Sequence, residues 1–413
     1  MKRAMEKETV TIRKKETTLR IQNTTIQAVR RKDIIKKGFR VCQDGRIGIS
    51  GAIGDIPDSV LEDSAREDLD VGMAYPYELA GERRDHRSYN PNPTSDTVLL
   101  SQVEELLERL RKHYPHFDFS EAVGTNQVIW QMRNSKGLDL EYQDAWTVAG
   151  LILKEKESSN LFDGFLMYDG RNFDMERFWS FNEDYLNAYS NKVPLPEGEV
   201  LPVFTLQQEE LMNFLSRSLN GERYATGSSL FSGKMGEKLF HEKITLEQNR
   251  SPLLRERPFF DMEGIVLEGD SLDLIKEGRL ANVFTDRKTA KQYHLPHTGA
   301  ASGEYDDIPS LSDAPLAFAV DSDDMKTVLD GKPAVLVIDS SGGDFTSDGS
   351  FAAPVQMSFL FDGEKVLGKL PEFTMRSHLY QMLGDDYIGT FDGQGFYFGD
   401  GIRLQGYYMQ ILP

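Results

Sequence analysis

The chain has 413 residues, of which 39% are hydrophobic and 27% are charged, and this composition is ordinary for a globular protein. The length predicts two domains. The formal net charge is −19, so we expect no nucleic-acid binding by the chain as a whole, because that affinity comes mainly from neutralising phosphates. The single cysteine, Cys42, excludes an intramolecular disulfide and a multi-cysteine metal site. No apolar run is long enough to predict a membrane-spanning helix.

The first 40 residues are basic and carry a net charge of +9. Such a run could be a transit peptide, a nucleic-acid-binding arm or the polar face of exposed strands, and we favour strands because charge runs are usually solvated. No apolar segment with a small-residue cleavage site follows it, so we expect no secretory signal. The expected location is the cytoplasm.

The N-terminal half mixes strand and helix signals. Residues 17–53 are predicted to be β structure with a hairpin turn at Asp44-Gly45. A second hairpin is predicted from a strand at 127–132, a turn at 134–137 and a strand at 138–152. Apolar residues at helical spacing predict three helices, at residues 57–74, 96–112 and 174–189. Residues 75–95 are rich in Pro, Asn, Arg and Asp and are predicted to form a long loop.

The segment 192–199 combines proline, glycine and charge and is the best linker candidate in the chain. It predicts an N-terminal α+β domain over residues 1–191 and a C-terminal β-rich domain over residues 200–413. The C-terminal domain is predicted to start with a helix at 205–219 and to continue in short strands, including a buried strand at 334–338. The fold class is therefore α+β, with antiparallel hairpins and helices in the N-terminal domain and mostly antiparallel sheet in the C-terminal domain.

His241-Glu242 begins like the HExxH helix of zinc proteases, in which two histidines one turn apart bind the metal. Thr245 stands where the second histidine would be. The alternating residues 242–247 predict a strand rather than a helix. We therefore interpret His241 as a partly exposed strand residue.

Two other histidine pairs have His-x-x-His spacing, namely His113 with His116 and His294 with His297. Each pair encloses a proline, and no neighbouring cluster of carboxylates or cysteines supplies the third protein ligand that catalytic zinc requires. Turn or surface histidines are the simpler interpretation. From the residues alone the chain has no complete catalytic constellation, and we predict no catalytic residue, no metal and no cofactor.

Three C-terminal segments resemble the TldD/PmbA family, whose members carry the name "modulator of DNA gyrase". They are residues 227–236, residues 260–264 and residues 275–280 with their continuation to His297-Thr298-Gly299. Residues 38–48 and 134–137 agree more loosely. The resemblance thus extends in order over most of the chain. The gyrase name has little weight, because direct action on DNA conflicts with the charge of −19.

The resemblance places the family's His-Glu-x-x-x-His zinc motif on Met212, Asn213 and Arg217. A thioether is a poor zinc ligand, an amide is no general base, and a guanidinium repels a metal ion. The family's cysteine ligand near the C-terminus is missing too, since Cys42 lies in the other half. The resemblance therefore implies a non-metallated member of the TldE or PmbA type.

Such a member assembles with a zinc-bearing TldD-type subunit into a cytoplasmic peptidase that acts on small or unfolded peptides. The resemblance implies the same kind of role here, with a zinc-bearing TldD-type paralogue or a second copy as partner and a peptide as the bound substrate. Residues that could contact this peptide are Ser229, Phe231, Ser232 and Gly233. Arg217 could pair with an acidic group, or it could be an ordinary surface arginine on an amphipathic helix.

Two other functions stay open from the sequence. One is a stand-alone peptide hydrolase that uses residues outside the family site, around His241 and Glu242 or around His294 and His297. The other is a non-enzymatic peptide-binding scaffold that retains only the fold. Loss of peptide cleavage on replacing these histidines would favour the first, and unrelated binding partners would favour the second.

Overall fold

The structure is a computed structural model, and it describes residues 4–206, 209–252, 255, 257–312, 314–322, 324–393 and 402–412. Within these residues the strands form two sheets of eight strands, one of four and one of two. Almost all strand pairs are antiparallel. The predicted α+β class is confirmed.

The N-terminal half builds the first eight-stranded sheet, with three helices beside it. Its elements in chain order are β1 (Glu6–Gln22), β2 (Thr25–Gln43), β3 (Arg46–Ile53), α1 (Asp58–Val71), β4 (Met73–Ala74), β5 (Arg83–Ser88), α2 (Asp96–His113), β6 (Phe117–Asn134), β7 (Leu138–Glu155), β8 (Gly164–Gly170) and α3 (Met175–Tyr189). The strand order is β4-β3-β2-β1-β6-β7-β5, and β8 pairs with β7. Strands β1, β2, β6 and β7 are long because two extended hairpins lie side by side.

The local signals in this half act as the sequence predicts. Asp44 and Gly45 both have positive φ angles, +50° and +78°, as a two-residue turn of this hairpin type requires. Helix α2 begins after Ser95, whose hydroxyl accepts a hydrogen bond from the backbone N–H of Val98. Its predicted apolar face is buried, namely Leu99, Val103, Leu106, Leu107 and Leu110. Three basic residues of the run, Arg30, Arg31 and Lys32, lie in an exposed part of β2.

The C-terminal half contains the remaining sheets and five helices among its described residues. Its elements are β9 (Val200–Leu206), α4 (Glu209–Leu219), α5 (Gly221–Ala225), β10 (Leu246–Asn249), a 3-10 turn (Glu268–Asp270), β11 (Ser271–Lys276), β12 (Arg279–Leu280), α6 (Arg287–Tyr293), β13 (Ala301–Ser302), β14 (Ser310–Leu311), β15 (Leu316–Phe318), α7 (Met325–Leu329), β16 (Ala334–Ser340), β17 (Asp344–Phe345), β18 (Ser350–Phe361), β19 (Val366–Lys369), β20 (Phe373–His378), α8 (Leu379–Met382), β21 (Tyr387–Asp392) and β22 (Arg403–Leu412). The predicted buried strand at 334–338 lies in β16.

The second eight-stranded sheet has the order β16-β9-β22-β20-β18-β17, with β19 on β18 and β21 on β22. Hydrophobic clusters join the two halves. One contains Leu106 of α2 together with Phe204 of β9 and Phe359 of β18, and another contains Val10 of β1 together with Phe259. Burying these side chains together stabilises the contact between the halves, because each apolar surface removes the other from water.

Three predicted elements differ from the observed ones. Residues 75–95 are not all loop, because Arg83–Ser88 form β5. This strand has no apolar alternation, and its parallel pairing with β7 holds it at the sheet edge. The helix predicted at 205–219 starts at Glu209, since residues up to Leu206 belong to β9. The strand predicted at 242–247 is short and covers Leu246–Asn249.

The predicted linker is an extended segment in which Lys192 bridges to Lys369 and in which Val193 and Leu195 pack against a hydrophobic cluster. The domain boundaries at 191 and 200 remain a prediction. In the described ranges no helix has the length and apolar character needed to cross a bilayer.

Candidate functional site

Helix α4 carries the three residues that the sequence assigns to the degenerate metal motif. Its buried side consists of Leu211, Phe214, Leu215, Ser218 and Leu219. Met212 is half-buried and packs against the same hydrophobic cluster. Asn213 and Arg217 lie on the opposite, exposed side. This division follows from the helical period of 3.6 residues, which puts positions 213 and 217 one turn apart.

The exposed side of α4 lines an open cavity of about 820 Å³. Asn213 and Arg217 belong to the lining, whereas Met212 does not. The opposite wall runs from the end of β16 to the start of β17 and includes Asp339 and Asp344. The structure therefore brings two of the three motif residues to one cavity and turns the third towards the core.

Arg217 meets a carboxylate in this cavity. Its Nη2 lies 3.5 Å from Oδ1 of Asp344, and both side chains are about half exposed. Oδ1 of Asp344 also accepts a hydrogen bond from the backbone N–H of Phe345. Because the pair is solvated, its contribution to stability is small, but it fixes a positive charge at the motif position.

The loop after α5 contains the candidate peptide contacts Ser229, Phe231, Ser232 and Gly233. The Ser229 hydroxyl donates to the carbonyl of Ser218 at the end of α4, and the Ser232 hydroxyl donates to the carbonyl of Tyr224. Phe231 is fully buried, and a Cβ added to Gly233 would meet open space. The loop is thus anchored to α4 by Ser229 and to α5 by Ser232, and its role in peptide contact remains a prediction.

The histidine at 241 lies in a turn. Its Nδ1 accepts a hydrogen bond from the backbone N–H of Lys243, and Glu242 pairs with Lys238 at 3.4 Å. This geometry differs from the predicted strand. The Glu242 carboxylate is engaged by a lysine, whereas in a zinc protease the glutamate of this motif acts as the general base.

A different group of potential ligands forms where the two halves meet. Asp261, Glu263 and His297 place one ligand atom each within 4.8 Å of one another. His297 Nε2 lies 3.1 Å from Oε2 of Glu263, and the two carboxylates are buried. Among the described residues this is the group of at least three such side chains that could hold a metal ion, and it contains His297 without His294.

Glu263 is the centre of this cluster. Its carboxylate accepts hydrogen bonds from the Tyr75 hydroxyl at 3.3 Å and from the backbone N–H of Arg287 at 3.1 Å. Burial raises the pKa of the Glu263 carboxyl above its ordinary value, because desolvation outweighs the hydrogen bond from His297. Glu263 therefore holds His297 and Arg287 in fixed positions beside Tyr75, a residue of the other half.

The cluster is poorly suited to a divalent cation. Oδ1 of Asp261 accepts the backbone N–H groups of Glu263 and Ile265, and Oδ2 accepts that of Ala301. Asp261 is thus committed to shaping the chain. The Arg287 guanidinium, 3.8 Å from Glu263, adds a fixed positive charge that opposes a metal ion.

Sequence reasoning missed Glu263 as a functional residue. It lies 34 positions from His297, and no spacing rule links the two. The sequence signal nearest to Glu263 is the segment 260–264, which resembles the TldD/PmbA family but does not indicate a contact with His297. The pairing depends on two segments that fold against each other.

Comparison with known proteins bears on the C-terminal half first. Residues 207–389 match the family model described as the PmbA/TldA metallopeptidase C-terminal domain. This match to the C-terminal half supports membership of the TldD/PmbA family. The family is peptidase-related, and the resemblance stated from the sequence is confirmed.

A relative in Methanocaldococcus jannaschii is an uncharacterised protein that is 27% identical over 261 residues, or 60% of this chain. The match spans 58% of that relative's length. It supports the relationship and adds no activity.

Three solved structures share the fold. TldE from Thermococcus kodakarensis has a TM-score of 0.77 at 18% identity, covering 99% of this chain and 97% of its own. A proposed modulator of a DNA gyrase from Thermotoga maritima has a TM-score of 0.74 at 15% identity, and the match covers 98% of this chain and 96% of that one. A proposed modulator of DNA gyrase from Bacteroides thetaiotaomicron has a TM-score of 0.74 at 14% identity, and the match covers 98% of this chain and 94% of that one. These similarities show the fold alone.

The family description implies a metal, and the residues on α4 do not fit one. Met212 packs against the core, Asn213 offers a neutral amide, and Arg217 is a cation that already pairs with Asp344. Zinc sites use thiolate, imidazole and carboxylate ligands, and none of these three motif positions offers one. We therefore derive no chemistry through a metal at α4.

Proposed function

We propose that this chain is a zinc-free subunit of a TldD/TldE-like peptidase system, which assists peptide processing without cutting peptides itself. The observation that carries the proposal is Arg217, a permanent cation in the cavity beside α4 that is paired with Asp344. A guanidinium at this position repels a metal ion and supplies neither a general base nor a nucleophile.

The partner in this proposal is a zinc-bearing paralogue with the His-Glu-x-x-x-His motif, or else a second copy of this chain. The peptide is the shared substrate, held while the partner cleaves it. The charge of −19 and the acidic wall of the cavity argue against a nucleic acid as the bound polymer. We place this system in the cytoplasm, as expected from the sequence.

The first experiment separates the subunit from an independent enzyme. The full chain is purified without added metal, its zinc content is measured, and its activity is assayed on unstructured peptides with and without Zn²⁺. We expect less than stoichiometric zinc and no cleavage. Zinc-dependent cleavage by the chain alone, abolished by a chelator, would overturn the proposal.

A matched variant locates any metal that does bind. His297→Asn removes the imidazole from the cluster with Asp261 and Glu263, whereas Arg217→Ala changes only the cavity beside α4. Stoichiometric zinc that is lost in His297→Asn belongs to that cluster and would contradict a zinc-free subunit. If zinc stays bound in this variant and the zinc content rises in Arg217→Ala, the metal lies at α4.

The second experiment tests the partnership. The zinc-bearing paralogue is mixed with this chain, and both complex formation and peptide turnover are measured. We expect a stable complex and faster turnover than the paralogue shows alone. If the two do not associate and turnover is unchanged, the chain is not a subunit of such a system.

The hydrolase alternative has one structural point in its favour, since His297 is oriented by buried Glu263. It requires cleavage by the lone chain that is lost in His297→Asn. His241 gives it less support, because its ring is engaged in a turn. The scaffold alternative requires unrelated partners and no paralogue in a pull-down from native lysate.

A further inference from the structure

A second cavity, of about 620 Å³, opens between the two halves of the chain. One wall comes from residues 76–78, which follow β4, and includes Pro76 and Tyr77. The other wall comes from α6 and the segment after it, and includes Arg287, Lys291 and His297. This cavity shares no lining residue with the cavity beside α4.

The α6 wall presents nitrogen donors to the cavity. Arg287 uses Nη2 on the carbonyl of Glu263 at 2.9 Å, and within the described residues its Nη1 has no hydrogen-bond acceptor. Lys291 Nζ makes a long contact of 3.4 Å to the carbonyl of Pro76 and lies 5.4 Å from the ring centre of Tyr77. Both cations therefore retain donor capacity for a ligand.

The opposing negative charge in the lining is already compensated. Glu78 is the acidic residue of the lining, and its carboxylate lies 3.1 Å from Nζ of Lys136. Glu263 lies beneath the wall, with an exposed side-chain fraction of 1%, and is occupied by its three donors. The lining thus carries two cations, Arg287 and Lys291, against one carboxylate that is already paired.

The donors are held in place before any ligand arrives. The Glu263 carboxylate fixes the His297 ring and the backbone of Arg287, and Asp286 caps α6 by accepting the backbone N–H of Thr289 at 2.8 Å. Such an array loses little side-chain entropy on binding an anion. Arginine matches the planar shape of a carboxylate in particular.

We propose that this cavity binds the free C-terminal carboxylate of a short peptide. Arg287 and Lys291 contact the carboxylate, and the last side chain of the peptide lies against Pro76, Tyr77 and Leu295. The assignment of a peptide rests on the proposed function, and the assignment of a carboxylate rests on the donors alone.

The test is a calorimetric titration of the full chain with an N-acetylated tripeptide ending in leucine, and with the same tripeptide as its C-terminal amide. We expect the free acid to bind about tenfold or more tightly than the amide, since charge-assisted hydrogen bonds are lost. Equal binding of the two, or no binding of the acid at millimolar concentration, would overturn the proposal.

Variants locate the site. Lys291→Gln should weaken binding of the free-acid tripeptide about tenfold and leave binding of the amide unchanged. Lys288→Gln is the matched control. Lys288 is an exposed lysine on the same helix that does not line the cavity. An equal effect of both variants would overturn the assignment.

Inorganic phosphate is the competing probe. Phosphate that displaces the peptide at equal concentration would show a general anion site and overturn the peptide assignment. Failure of the proposed function has a different signature, which is zinc-dependent cleavage by the chain alone. Carboxylate binding can therefore succeed or fail independently of the subunit role.

Discussion

Arg40 is among the largest fully buried side chains of the protein, with 1% of its surface exposed. Its Nη1 donates to Oε1 of Glu8 at 3.0 Å and to the carbonyl of Met262 at 2.9 Å. Within the described residues its Nε and Nη2, and Oε2 of Glu8, have no partner. Taking such a pair out of water is costly, so its members depend on each other.

Replacing one member of this pair should destabilise the protein more than replacing both. Arg40→Met leaves the Glu8 carboxylate buried and unpaired, so we expect the free energy of unfolding to fall by about 3 to 5 kcal/mol. The double variant Glu8→Leu with Arg40→Met should recover most of this loss. Urea denaturation measures both, and a double variant as unstable as the single one would contradict the interpretation.

The residue scale also shows why the site was only half predictable. Met212, Asn213 and Arg217 could be named from the sequence because the resemblance places the family's zinc motif on one short segment. The contact of Glu263 with His297 could not, because it joins residues 263 and 297 through the fold. Chemistry that is local in sequence is predictable, whereas chemistry assembled from distant segments is not.

Helix α6 shows how one short element positions several functional groups. It has seven residues, starts after Asp286 and ends at His294, which has a left-handed φ of +54°. So short a helix has little stability of its own, and its cap and its packing hold it. Arg287 and Lys291, one turn apart, therefore face the same cavity.

Removing the cap of α6 should be measurable. Asp286 is buried and accepts the backbone N–H of Thr289, so Asp286→Ala should lower the free energy of unfolding by about 1 to 2 kcal/mol. Asp286→Asn keeps an acceptor in place and should lose much less. Urea denaturation distinguishes the two variants, and equal losses would show that capping is not the cause.

Among the helices, strands and turns, the sequence predicted those that have a clear apolar periodicity or turn motif. Helix α2 has its predicted apolar face buried, and the turn at Asp44-Gly45 has its predicted geometry. Strand β5 was missed because its six residues, Arg83–Ser88, contain no apolar side chain. It is a strand because its backbone pairs with β7, and such pairing leaves no local pattern.

The two halves are held together by apolar clusters and by a few ionic contacts. Arg87 of β5 lies between Asp85 and Asp270, with its Nη1 2.7 Å from Oδ2 of Asp270. Its guanidinium lies 3.8 Å from the ring centre of Phe259, also in the C-terminal half. At another contact Gly38 of β2 allows close approach, because an added Cβ would lie 1.8 Å from the carbonyl oxygen of Tyr305.

The Arg87 contact predicts a pH effect on the whole molecule. The hydrogen bond from Arg87 holds the pKa of Asp85 below its ordinary value. A lowered carboxyl pKa contributes stability above the ordinary value of about 4, and this stability is lost as the pH falls through the lowered pKa. We expect Arg87→Ala to cost about 1 to 2 kcal/mol at pH 7, after allowance for partial exposure.

The measurement is urea denaturation at several pH values. The native chain should lose stability steeply below about pH 4, and Arg87→Ala should show a flatter dependence there. Arg84→Ala is the control, since Arg84 is exposed on the same strand and lies 3.8 Å from Asp139. Parallel pH curves for the native chain and Arg87→Ala would contradict the role assigned to this contact.

The sequence by itself determined the α+β class, most helices and hairpins, the family, and the residue types that replace a zinc motif on α4. These properties follow from composition, from periodicity along single elements and from ordered motifs. Only the tertiary structure decided that Met212 turns to the core, that Arg217 meets Asp344, and that Glu263 joins His297 beside Tyr75. Burial and long-range hydrogen bonding set these contacts, and both depend on segments that are far apart in the chain until it folds.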